Sequence, residues 1–255
     1  MSQTEPAGKP GKPTSTNAND LTLKAVSDIP GLGVAVLSLD GRIHQVNAQA
    51  CGMFRGHQQV QVGLGRTLAE LFPSPWVDER LNALQSVVNQ DRPLIFRCIW
   101  RGRRLESAVR WLGWEGEPNR PENGRVMVFT RRGISSNSEV GEALAVKWAE
   151  VVELGRLDAL SRRELEVLAL LAQGISYEDI ARYLKRSRKT VDNHRQSIGR
   201  KLEVCDRITL ARLATEAGLE LRDASARRVR FAPLALEQPD IEAKPAAVTT
   251  ARRTA

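Results

Sequence analysis

Residues 187–202 read Ser187-Arg188-Lys189-Thr190-Val191-Asp192-Asn193-His194-Arg195-Gln196-Ser197-Ile198-Gly199-Arg200-Lys201-Leu202. Val191, Ile198 and Leu202 recur at helical spacing and define one apolar face. Thr190, His194 and Ser197 flank that face, and Arg188, Lys189, Arg195 and Arg200 fill the remainder. Ser187 stands where an N-cap is wanted. A helix that buries one side and offers basic and amide side chains on the other suits the major groove of DNA.

Working outward, four short helices fit between Leu160 and Leu219, each with its own start signal. Ser161-Arg162-Arg163-Glu164 reads as a capping box, opening a helix that turns Leu165, Leu168 and Leu171 inward and ends at Gly174. Ser176 caps a second helix, which buries Ile180, Ala181 and Leu184. Lys185-Arg186 makes the turn into the third, capped by Ser187. Asp206 caps the fourth, which runs through Leu210, Leu213 and Ala217 to Gly218. Two helices joined by so short a turn form a helix-turn-helix, and small Ala181 lets them approach closely. Between Arg182 and Lys201 eight residues are basic and one, Asp192, is acidic, so positive charge concentrates on the reading element.

The run "LSRRELEVLALLAQGISYEDIARYLKRSRKTVDNHRQSIGRKLEVCDRITLARLA" resembles the LuxR/NarL/FixJ-type helix-turn-helix of bacterial transcription regulators. The resemblance rests on Leu160-Ser161, Arg163-Glu164, Glu166-Val167-Leu168, Gly174, Ile180-Ala181, Leu184, Ser187, Thr190-Val191, His194, Ile198, Lys201-Leu202, Arg207 and Leu210-Ala211. It implies DNA contacts through Arg188, Lys189, Thr190, Val191, Asn193, His194, Arg195 and Lys201. Lys189, Thr190 and His194 would meet phosphates or the groove edge, and Val191 and Arg195 the base edges. Arg188 would reach a phosphate at the helix start, where the helix dipole also favours an anion. The fourth helix, with Leu210, Leu213 and Ala217, falls where the family dimerises. Two departures stand out. Tyr177 and Glu178-Asp179 replace a common Asn-Lys-Glu, and Asp192 stands where a lysine is frequent. Asp192 either accepts from a cytosine amino group or pairs with a neighbouring arginine.

The front of the chain has a different period. Gly33–Leu39 is an apolar run of strand length, Asp40-Gly41 is a hairpin signal, and Arg42–Asn47 alternates as a returning strand. Asn47 caps a helix through Cys51, Met53 and Phe54. Thr67–Phe72 is a short helical piece and Pro75–Gln90 a longer one. Strands are expected at Leu94–Arg101, Leu105–Trp114 and Arg125–Arg131. This order, with "GVAVLSLDGRIHQVNAQACGMF" as its opening, resembles the PAS domain. The implied architecture is α+β: a PAS-like five-stranded antiparallel sheet with helices, followed by an all-α four-helix LuxR-type domain. The divisions are a disordered tail at 1–20, a PAS-like sensor or dimerisation domain at 21–133, a linker at 134–159, the DNA-binding domain at 160–221 and a disordered basic tail at 222–255. The linker turns helical over Glu142–Leu154, with Leu144, Trp148, Val151 and Val152 as a partial stripe.

With 255 residues there is room for two modest domains, and the net charge of +8 suits a polyanionic partner. Cys51, Cys98 and Cys205 are widely spaced and odd in number, which argues against disulfides and a structural zinc site. No run reaches the length of a membrane span, and a cytoplasmic location is expected. Phosphate-loop, zincin and nucleophile-elbow motifs are missing, so no enzyme is expected. No cofactor is expected either. The helix Pro75–Gln90 carries no histidine for haem, and Cys51-Gly52-Met53-Phe54 is not the Asn-Cys-Arg-Phe of light-sensing flavin domains. His194 has no partner at metal-ligand spacing. The expected function is a sequence-specific DNA-binding transcription regulator, acting as a homodimer on double-stranded DNA. RNA polymerase and a small-molecule ligand of the PAS-like domain are further candidate partners. The alternative makes the PAS-like domain a ligand-sensing or interaction module, with DNA binding only its output.

Overall fold

In the computed structural model, residues 25–133, 144–204 and 206–231 are described here. The front half is a sheet in the order β2-β1-β5-β4-β3-β6. Its strands are β1 (Leu32–Leu37), β2 (Ile43–Val46), β3 (Leu94–Trp100), β4 (Arg103–Trp114), β5 (Gly124–Arg132) and β6 (Ala145–Trp148). The first five pair antiparallel, with Ala35 opposite Val46 and Val128, and Phe96 opposite Ser107. The β1–β2 turn closes on Gly41 at φ +84°, which donates to Ser38 O at 2.9 Å. Only glycine takes that conformation without a Cβ penalty. Asn47 starts α1 (Ala48–Phe54) by accepting from Ala50 N at 2.9 Å. Its Oδ1 also accepts from Val34 N and its Nδ2 donates to Leu32 O, so one amide fixes the helix to the sheet. Two further helices, α2 (Leu68–Leu71) and α3 (Ser74–Gln90), follow.

Strand β3 shows why the second half of the chain packs where it does. Successive side chains of a strand point to opposite faces. Phe96, Cys98 and Trp100 enter the core under the helices, whereas Ile99 enters the core of the helical unit. The strand is therefore buried on both faces and reads as a nearly continuous apolar run. The same alternation places Leu105 and Val109 of β4 in the first core. It turns Arg104 and Glu106 to the other side, where both are buried. Glu106 accepts from Arg97 Nε at 2.8 Å and from Arg131 at 2.5 Å. Arg104 Nη2 meets Asp223 Oδ2 at 2.5 Å and Gly218 O at 2.8 Å.

The linker differs from the sequence expectation. The sequence predicts a helix over Glu142–Leu154. Residues 145–148 instead form β6, parallel to β3, with Leu94 opposite Ala145 and Arg97 opposite Trp148. The exposed edge of β3 offers a row of unpaired backbone groups, and pairing satisfies them. Val151–Val152 then form β7, and a 3₁₀ turn at Gly155–Ala159 leads into the helices. Residues 134–143 lie outside the described residues.

The basic tail expected from residue 222 also needs correction. A 3₁₀ turn spans Leu221–Ser225, and β8 (Arg227–Arg228) pairs parallel with β7. Val229 joins the front core, and Phe231 stacks on Phe72 at 5.4 Å and lies 5.1 Å from Trp100. Asp223 and Phe231 find partners far away in sequence, which local composition does not reveal. The expected tails at 1–20 and 232–255 fall outside the described residues.

Candidate nucleic-acid interface

Four helices build the second half: α4 (Arg162–Ala172), α5 (Tyr177–Tyr183), α6 (Arg188–Leu202) and α7 (Arg207–Ala217). All four expected caps form. Ser161, Ser176, Ser187 and Asp206 accept from the backbone amides of Glu164, Asp179, Thr190 and Thr209. Lys185, at φ +53°, reverses the chain between α5 and α6, and Arg186 N donates to Ala181 O at 2.9 Å. Ile180 and Ala181 pack inward with Val191, Ile198 and Leu202 of α6. The angle between the two helices is thus set by a small residue, a left-handed turn and a shared apolar seam.

The seam decides what α6 can present. Val191 is 0% exposed, wholly enclosed by the core. It cannot touch a base edge, contrary to the expectation from family resemblance. Lys189, Asn193, Gln196 and Arg200 are exposed and follow one another at intervals of four, three and four residues. That spacing makes a single outward stripe. Gln196 was not among the expected contact residues. Its signal was present, because it lies three residues beyond Asn193 and opposite the buried seam. Thr190, His194 and Arg195 are half-buried at the edges of the stripe. The Thr190 hydroxyl lies 2.9 Å from Ser187 Oγ, within the cap.

Several charges are already engaged. Arg188 bonds Glu178 at 2.7 Å and lies 3.9 Å from Asp192. Asp192 therefore pairs with an arginine, one of the two roles open to it. Lys201, expected at DNA, instead donates to Glu164 Oε2 at 2.7 Å and ties α6 to the start of α4. Burial pushes the Glu164 carboxyl up, but hydrogen bonds from Lys201, Ser197 and Ser161 outweigh it and hold the group at about 2. Arg182, Lys185 and Arg186 are exposed around the turn and extend the basic surface.

The expected dimer residues are also partly displaced. Leu210 is 0% exposed and Ala217 is buried, both in the core of this chain, and Leu213 is half-buried against it. A helix on a four-helix core must spend its apolar face there. The outward side of α7 carries Ile208, 81% exposed, with Arg212 and Thr215. The C-terminal end of α7 docks on β4, where Gly218, at φ +62°, lies against the Arg104 side chain. Among the described residues no group of three or more His, Cys, Asp or Glu could hold a metal ion.

Residues 158–214 match the family described as bacterial regulatory proteins, luxR family, and residues 31–131 match the PAS fold. The chain thus joins a PAS fold to a LuxR-type helix-turn-helix domain. It is 35% identical over 100 residues to the transcriptional activator protein ExaE of Pseudomonas putida, covering 37% of this chain and 47% of that one. It is 42% identical over 69 residues to the transcriptional regulatory protein UhpA of Escherichia coli, covering 27% and 33%. The uncharacterized response regulatory protein YgeK of Escherichia coli is 43% identical over 60 residues, covering 24% of this chain and 41% of that one. The chain therefore spans less than half the length of these relatives. Among solved structures, the Vibrio cholera VqmA-ligand-DNA complex aligns over 78% of this chain and 88% of that one, at 18% identity and a TM-score of 0.42.

Proposed function

We propose that this chain is a sequence-specific transcription regulator that binds double-stranded DNA through α6. The observation that carries the proposal is the outward stripe Lys189, Asn193, Gln196 and Arg200, held on a buried seam beside a basic turn. Lys189 and Arg200 supply attraction to phosphates, which positions the helix. Asn193 and Gln196 are the amide side chains best suited to reading adenine bidentately in the major groove. The regulatory functions named for ExaE, a transcriptional activator, and UhpA, a transcriptional regulator, agree with this reading. A cytoplasmic place of action belongs to the same proposal, because a regulator of this kind must reach DNA. Among the described residues no helix is long and apolar enough to cross a membrane.

Action as a homodimer follows the same logic. Two copies of α6 would enter successive major grooves, with half-sites about ten base pairs apart. The exposed side of α7, around Ile208 and Arg212, is the surface of this unit suited to the second copy. RNA polymerase would then be a downstream partner, and no catalytic role is assigned. The PAS-like half serves as the sensor. An apolar cavity between its helices and sheet favours that part of the reading.

The test is binding of the full chain to duplexes selected from a random pool. Wild-type protein should enrich a defined sequence. Lys189→Ala should weaken binding to all duplexes and reduce the slope of log K against log salt by about one. Failure to enrich any sequence would sink the proposal.

A further inference from the structure

The cavity of the PAS-like half encloses about 100 Å³ between α1–α3 and the sheet. Ala35, Val109 and Val128 line it from the strands, and Phe54, Trp76 and Leu84 from the helices. Two charged residues reach its wall, Arg55 and Arg80, and no aspartate or glutamate does among the described residues. Arg80 is engaged except at Nη2, which has no hydrogen-bond partner. It bonds Glu79 at 2.7 Å and stacks on Trp76 and Phe96, with its guanidinium carbon 4.5 and 4.3 Å from the ring centres.

Arg55 is not accounted for. It is 3% exposed, and its Nε, Nη1 and Nη2 all lack a hydrogen-bond partner. A guanidinium stays charged in proteins, so a buried one without acceptors is among the costliest arrangements a fold can hold. Its neighbour Cys51, one helical turn earlier, does not neutralise it, because burial pushes that thiol up and keeps it protonated. Among the described residues, buried side-chain nitrogens or oxygens without partners belong to Arg55, His57, Trp76 and Arg80. Three of these four residues line this cavity, and all the orphaned atoms of those three are donors. The two hydroxyls on the wall, Ser107 and Thr130, bond each other at 2.9 Å. The site therefore has donors to spare, positive charge to neutralise and an apolar remainder.

We propose that the cavity binds a small monocarboxylate, its carboxylate held by the Arg55 guanidinium and assisted by Trp76 Nε1, its apolar tail packed among the lining side chains. A carboxylate matches the planar fork of a guanidinium with two parallel hydrogen bonds. The tail must be short. A cavity of about 150 Å³ holds benzene, so about 100 Å³ admits on the order of four to six non-hydrogen atoms in all. Acetate, propionate and butyrate span that range. The inference rests on the PAS-like half being the sensor, and its test uses no DNA, so the two readings can fail separately.

The full chain is titrated with sodium acetate, propionate, butyrate, valerate and benzoate, and with butanol and butyramide as neutral counterparts. Calorimetry and the thermal unfolding midpoint are the readouts. The expected result is saturable binding with an optimum among the two- to four-carbon acids and none to the neutral counterparts. Arg55→Gln should weaken that binding at least tenfold. Should Arg55→Gln fail to fold, Leu84→Phe, which fills the apolar end, should abolish binding while Arg55 stays in place. The proposal is overturned if no carboxylate binds, if butyramide binds as tightly as butyrate, or if Arg55→Gln leaves carboxylate affinity unchanged.

Discussion

Replacing Lys201 with methionine separates two roles for a cation at the end of α6. Glu164 is buried, yet hydrogen bonds from Lys201, Ser197 and Ser161 hold its carboxyl at about 2 instead of the ordinary 4.5. A displacement of that size corresponds to about 3 kcal/mol of stability, shared among those donors after burial has taken its toll. Lys201 is itself about one-third exposed, and solvent screens the pair, so its own share is about 1–2 kcal/mol. Because the folded-state carboxyl is depressed, this stability is present above the unfolded value near 4.5. It is lost as pH falls from there toward 2. Urea titrations of wild type and Lys201→Met should therefore differ by about 1–2 kcal/mol at pH 7, and the difference should shrink below about pH 4.5. The salt slope of DNA binding should stay the same, because Lys201 is spent on Glu164. A stability unchanged at pH 7, together with a salt slope smaller by about one, would return Lys201 to the DNA surface.

Three further outcomes follow. Asp223→Ala strands the buried Arg104 guanidinium and should lower stability by about 3–5 kcal/mol in urea, with Arg104→Met/Asp223→Leu recovering much of the loss. Phe231→Ala removes a half-buried ring stacked on Phe72 and beside Trp100, and should cost on the order of 2 kcal/mol. Its unfolding is read by tryptophan fluorescence. Val191→Ala should act as a core truncation of about 1–3 kcal/mol, with the DNA sequence preference unchanged in the folded protein.

Local chemistry made much of this fold readable. Ser161, Ser176, Ser187, Asp206 and Asn47 each announce a helix within four residues of themselves, and each forms the cap it announces. Asp40-Gly41 likewise closes the first hairpin. What stayed hidden is set by distant partners. Residues 145–148 become a strand because β3 has a free edge, not because of a strong pattern of their own. Arg104 is buried because Asp223 waits 119 residues later. Residues 226–231 look like a solvated basic run until Val229 and Phe231 are seen entering the front core.

The interface shows the same division. Periodicity placed Val191 on the apolar face with Ile198 and Leu202, and that placement holds. Resemblance assigned Val191 to the bases, and burial overrules it. Gln196 is neither charged nor apolar, so composition does not single it out, although its position opposite the seam marks it as outward. Arg55 shows a further limit. An arginine at the end of an amphipathic helix looks like surface, and only the enclosed cavity makes it a question.

Reading of the DNA sequence is proposed for Asn193 and Gln196, the exposed amides of α6. Selection from a random duplex pool with Asn193→Ala/Gln196→Ala beside wild type tests it most directly. The double variant should fold, keep the wild-type salt slope, and lose preference at particular positions of the site, by about 1–3 kcal/mol for each lost contact. Enrichment of the wild-type sequence with undiminished preference at every position would contradict it.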